Sequence, residues 1–261
     1  MRYALFGFST VLGMQILGMH LGASPVVLSA DLDTIQDRGY VVVAVKDSWR
    51  PLGFIDEQGE LVGFEIDLAR QLALEILGDS EAIQLQPVSN LDRLPAVIDN
   101  EVDMAIAGVS ITPMRQRLVA FSSPYYLDGT GFVTHQPTLQ SINDLGASDI
   151  ALLAGSEAVA QINYLFPFAN LLGVSSYQQA WTVLEANQAD VFAGSASVLA
   201  GWVQEHPNYH LLPELVTVEP LAVVLPKGTQ HDSFRREVNG AIAQLQDNGW
   251  LAERISHWQL P

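Results

Sequence analysis

The sequence predicts an α/β protein built from two units of about 90 residues each, a common domain size. Three observations carry this reading. Short apolar, β-branched runs alternate with stretches of helical spacing. The first third reads strand, helix, helix, strand, which implies a parallel sheet covered by helices. The middle third repeats the same style, with no internal sequence repeat and no long linker.

VVVAV at 41–45 is an unbroken β-branched run, hence a buried strand. DEQG at 56–59 is a turn, and 60–64 pairs back as a hairpin arm. Ile66, Leu68, Leu72, Ala73, Ile76 and Leu77 recur at helical spacing, and Gly78 ends that helix. Leu91, Leu94, Val97 and Ile98 mark a second helix, and 103–109 a strand. Residues 132–134, 150–153 and 190–193 read as strands; 156–165, 177–187 and 198–204 read as helices. A strand at 221–225 and a PKG turn lead into one long amphipathic helix, with Phe234, Val238, Ile242, Leu245 and Leu251 on one face.

The 261 residues carry a formal charge of −17, with 12 basic and 29 acidic side chains and only two lysines, Lys46 and Lys227. So few basic groups exclude a nucleic-acid partner and docking on anionic lipid. There is no cysteine, which removes disulfides, thiolate metal sites and thiol catalysis. No HExxH, nucleophile elbow or phosphate loop occurs, so neither a metal nor any other cofactor is expected. Residues 1–30 hold one arginine at the start, a broken apolar stretch, small residues at the end and no acid. That pattern is expected of a secretory signal cleaved near Ser29 or Ala30, which would export the mature chain; the other reading is an uncleaved membrane anchor, which Ser9, Thr10, Gln15 and His20 interrupt.

The stretch ITPMRQRLVAFSSPYY at 111–126 follows a strand end. Thr112 suits an N-cap and Pro113 a first helical position, so a short helix is expected there. Its free N–H groups and the Arg115 guanidinium fork would suit a carboxylate, with the Ser110 hydroxyl on the approach. The other reading is that Arg115 and Arg117 are solvated helix arginines, and spacing alone does not choose between them.

GFEIDLA at 63–69, VDMAIAGVSIT at 102–112, Arg115, FSSPYY at 121–126 and the ending PKG…VNGAIAQLQDNGWLAERISHWQL resemble the bacterial periplasmic amino-acid-binding proteins, family 3 with the type II fold, that serve ABC importers. The resemblance implies two α/β lobes joined by a two-strand hinge, with the ligand held between them. It implies a signal peptide at 1–30, lobe one at 31–126 plus 222–261, and hinge strands with lobe two at 127–221. It places the ligand carboxylate on Arg115, with the Gly108 backbone and Ser110 beside it. Trp49 would be one aromatic wall and Phe64 the opposite one, and Ser156 a second clamp from lobe two. The family's ammonium-pairing Asp position holds Ser195 here. A buried ammonium without a charged partner is costly, so either another acid replaces that Asp or the ligand has no α-ammonium. Glu157 is the replacement to expect, with Asp47 as a weaker candidate. The implied protein is a monomer that captures a small carboxylate, above all a polar amino acid, and hands it to a membrane ABC permease. Two alternatives share the fold: an enzyme like the cyclohexadienyl dehydratases, which eliminate from a prephenate-like acid, and a soluble sensor.

Overall fold

The computed structural model describes residues 31–156 and 158–261. The expected signal segment and Glu157 lie outside the described residues. In chain order the elements are α1 (Leu32–Arg38), β1 (Val41–Val45), β2 (Ser48–Trp49), β3 (Gly53–Ile55), β4 (Leu61–Val62), α2 (Phe64–Leu77), β5 (Ile83–Pro87), α3 (Pro95–Ile98), β6 (Met104–Ile106) and β7 (Ala120–Asp128). There follow β8 (Thr130–Thr134), β9 (Asp149–Leu153), α4 (Ala158–Leu165), β10 (Asn170–Val174), α5 (Tyr177–Glu185), β11 (Val191–Ser195), α6 (Ala196–Glu205), β12 (His210–Leu211), β13 (Glu219–Leu225), α7 (Asp232–Asp247) and α8 (Trp250–His257).

Two five-stranded sheets organise these elements, in the orders β5-β1-β6-β13-β7 and β10-β9-β11-β8-β12, and β2-β3-β4 form a small third sheet. Every residue of β1 is buried because both of its faces are covered. Val41, Val43 and Val45 join α2, α7 and α8 in one core, while Val42 and Ala44 join Ala96 and Val97 of α3 in another. That split is the two-residue period of a strand. The second sheet is covered the same way. Ala151 and Phe192 pack with α5 and α6, whereas Ile150, Leu152, Val191 and Ala193 pack with Ile162 of α4.

The sheets are mixed, not purely parallel as the element order implied. β13 runs antiparallel to β6 and β7, and β8 antiparallel to β11 and β12. The cause is the crossing between sheets. β7 leaves the first sheet towards β8, and β13 returns beside it, pairing Glu219 with Asp128 and Leu221 with Tyr126. The single long C-terminal helix is also two helices, broken at Gly249, whose φ of 81° lies in the left-handed region. The expected second helix is confined to Pro95–Ile98, because Pro95 sets its start and 91–94 form turns. Among the described residues no helix is long and apolar enough to cross a membrane.

Candidate ligand-binding cleft

The chain ends that follow β1, β5, β9 and β11 converge on a cavity of about 860 Å³, lined from both large sheets. Ligands of open α/β sheets collect at such carboxyl ends. Lys46 and Asp47 come from the turn after β1, Trp49 ends β2, and Ser89 to Leu91 come from the turn after β5. Leu153 ends β9, Tyr177 opens α5, Ser195 ends β11, and Val198 lies in the first turn of α6.

Trp49 stands in the cavity wall. Its six-membered ring packs onto Gly108, where a Cβ would sit 2.6 Å from the ring. Gly108 also has φ +62°, so this position requires glycine twice over. Ser195 lines the same cavity. Phe64 does not: it is fully buried, and its ring meets Tyr126 edge-on at 5.9 Å inside the first core. It opens α2 with its side chain turned inward, so an opposite wall formed by Phe64 is corrected. The apolar wall instead includes Leu91, which is 86% exposed.

Arg115 lies in a single 3-10 turn, Arg115–Arg117, not at the head of a helix. Thr112 still closes that turn, its carbonyl accepting from Gln116 N at 2.9 Å. One turn carries no useful macrodipole, so attraction for an anion rests on the guanidinium. Arg115 is half-buried, and its Nη1 donates to the carbonyl and Oγ of Ser110 at 2.9 and 2.7 Å. Arg117 is exposed. Arg115, Ser110 and Gly108 form a contiguous group behind Trp49, outside the cavity wall itself. Ser156 follows the turn at Gly155, is half-buried, and is also outside that wall.

Arg93 was missed by the sequence reading. It lies two residues after Leu91, and its Nη1 donates to the carbonyls of Ala107 and Gly108, both at 2.9 Å. Burial lowers its pKa, and the charge of Arg115 lowers it further. Two guanidinium groups thus repel each other around Gly108, and an arriving anion would relieve that repulsion. A signal existed: arginines are scarce here, and Arg93 follows a strand end. Lys46 is buried, with Nζ donating to the carbonyl of Val88 at 2.7 Å, and desolvation lowers its pKa.

Glu65 lies beneath this group, fully buried. Its Oε1 accepts from Gly108 N at 2.7 Å and from the Tyr125 hydroxyl. Burial raises its carboxyl to about 7 from an ordinary 4.5, against the lowering effects of those two donors and of Arg93. Between these values the folded chain holds a proton that the unfolded chain has released. Stability contributed by Glu65 is therefore present below about pH 4.5 and lost as pH rises through about 7. The expected slope approaches about 1.4 kcal/mol per pH unit. Urea denaturation at several pH values across that window checks this: Glu65→Gln should flatten the dependence, and an unchanged slope would refute it.

Asp128, at the end of β7, is buried and accepts four hydrogen bonds. Oδ1 takes Gly129 N at 2.8 Å and Ser197 N at 3.1 Å. Oδ2 takes the hydroxyls of Ser195 and Ser197, both at 2.7 Å. At one flank of the cavity the two bodies touch. The Arg50 carbonyl lies 2.2 Å from where a Cβ on Gly201 would sit, Arg50 Nε faces Glu205 at 3.3 Å, and Gln204 Nε2 donates to the Trp258 carbonyl at 2.9 Å.

The comparisons with known proteins agree with this geometry. The chain is 29% identical to the ABC transporter glutamine-binding protein GlnH of Bacillus subtilis, over 87% of this chain and 84% of that protein. It is 27% identical to the cyclohexadienyl dehydratase of Pseudomonas aeruginosa, over 95% of this chain and 93% of the enzyme. Its fold superposes on an ancestral cationic amino acid solute-binding protein with a TM-score of 0.73 at 25% identity, covering 87% and 98% of the two chains. The pattern of the bacterial extracellular solute-binding proteins, family 3, matches residues 41–261. A cleft between two α/β lobes, strand ends converging on it from both sides and this match over most of the sequence lead to one conclusion: the chain belongs to the bacterial extracellular solute-binding proteins, family 3, and has their two-lobe type II fold.

Proposed function

We propose that this protein captures a small carboxylate, above all a polar amino acid, between its lobes outside the cytoplasm and delivers it as a monomer to a membrane ABC permease. The lobes are taken as 31–126 with 222–261, and 127–221. The observation that carries the reading is the 860 Å³ cavity walled by strand ends of both sheets, with Arg93 and Arg115 gathered around Gly108 beside it. The glutamine-binding relative supports the amino-acid class. A ligand that bridges two lobes stabilises their closed arrangement by its differential affinity, which is all that capture and release require. The protein is read as a receptor, not an enzyme.

A thermal-shift panel of the twenty L-amino acids tests this, with keto and hydroxy acids and prephenate alongside. One ligand class should raise the melting point in a concentration-dependent way. At a hundred times its dissociation constant, linkage gives about 2.7 kcal/mol of added stability. Prephenate should yield no product. No shift with any carboxylate would overturn the reading, and turnover of prephenate would replace it with the dehydratase one.

A further inference from the structure

Resting on the binding reading above, we propose that Asp128 is a positioning residue that makes Ser195 the acceptor for the ligand's ammonium group. Ser195 stands in the cavity wall at the end of β11. It carries no charge of its own. Its hydroxyl proton is committed: Oγ donates to Asp128 Oδ2 at 2.7 Å. Ser197 Oγ donates to the same oxygen at the same distance, so the 3.0 Å approach of the two hydroxyls has no spare proton to share. A carboxylate only accepts, and a hydroxyl has one proton to give. What the Ser195 hydroxyl has left for a ligand is therefore lone pairs alone.

Asp128 is itself fixed. It is 4% exposed, and Gly129 N and Ser197 N hold its other oxygen. It cannot turn to meet a ligand directly, but its negative charge lies one hydrogen bond behind Ser195. An acceptor backed by a buried carboxylate selects a cationic N–H donor and rejects a second anion. With the arginines around Gly108 attracting a carboxylate, the two groups together define a zwitterion. The acid absent from position 195 is thus supplied indirectly from the β7–β8 crossing, 67 residues earlier in the chain.

Isothermal titration tests this with the wild type, Ser195→Ala, Ser195→Thr and Asp128→Asn. The probes are the twenty L-amino acids and the desamino acids with the same side chains. The quantity read is the affinity ratio of each amino acid to its desamino partner. The wild type should favour the amino acid. Ser195→Ala should cut the ratio at least about tenfold, the scale of a hydrogen bond to a charged group. Ser195→Thr, which keeps the hydroxyl, should restore it. Asp128→Asn can donate to Ser195 and turn its proton outward, so the ratio should fall there too. Ser195→Ala leaves the Asp128–Ser197 bonds in place, which separates recognition from folding if Asp128→Asn is unstable. A ratio unchanged in Ser195→Ala, or a wild type that prefers the desamino acids, overturns this inference while leaving carboxylate capture standing. A wild type that binds no probe overturns both.

Discussion

Arg115→Ala should weaken binding of the amino-acid ligand by roughly a hundredfold or more, with little change in the melting point of the empty protein. The side chain is half-buried, and Nη1 is anchored by the carbonyl and hydroxyl of Ser110, which fixes the plane of the guanidinium. A fork held in place meets a carboxylate with less ordering cost than a mobile one. Removing one member of a desolvated charge pair typically costs about 2 to 5 kcal/mol, and about 3 kcal/mol corresponds to roughly 150-fold in the dissociation constant. Arg93 remains in the variant, but its Nε and Nη1 are already committed to the carbonyls of Asn90, Ala107 and Gly108. Arg115→Lys should recover only part of the loss, since an ammonium lacks the bidentate geometry. Isothermal titration reads the effect. Equal affinities in wild type and Arg115→Ala would remove Arg115 from the site.

The largest expected effect on folding comes from Asp103. Its carboxyl is fully buried at the head of β6, where Oδ2 accepts from Val42 N at 2.7 Å and pairs with the guanidinium of Arg38. The contact ties α1 and β1 to β6, joining segments 65 residues apart. Asp103→Ala leaves the Val42 N–H in an apolar surround and takes a charged partner from Arg38. Breaking such a buried pair costs about 3 to 5 kcal/mol. For a chain of this size that is about 10 °C in melting temperature. The double change Arg38→Met with Asp103→Ala should be milder than the single one, because no guanidinium then lacks its counter-charge. Thermal unfolding followed by circular dichroism decides it. A single variant that melts within about a degree of wild type would show that the pair contributes nothing net, as many ion pairs do.

Much of the architecture was legible because strands buried on both faces read as unbroken apolar runs. VVVAV is the clearest case, and β6 and β11 follow it. β5 was not legible, because IQLQP alternates and ends in proline, as suits an edge strand. β10 is largely exposed, so NLLGV gave no core signal. Strand direction was hidden for another reason. β13 is antiparallel because the chain returns from the other sheet, and no local residue records that path.

The cleft was half legible. Trp49 and Ser195, expected at the site from the resemblance, both line the cavity beside strand ends. Phe64 failed because an aromatic residue at a helix start packs inward as readily as outward. Leu91 was absorbed into a helical pattern that Pro95 cuts short, which concealed an exposed leucine in the wall. The contact of Asp128 with Ser195 spans two secondary-structure units and leaves no trace in either segment.

The missing side chain of Gly201 has a mechanical consequence. Backbone meets backbone there, so any side chain at 201 would hold the two bodies further apart and widen the gap between them. The Arg50–Glu205 pair and the bond from Gln204 to the Trp258 carbonyl lie along the same seam and hold it at that spacing. A bulkier residue at 201 would therefore be felt at the cavity as extra room, although it touches nothing inside it.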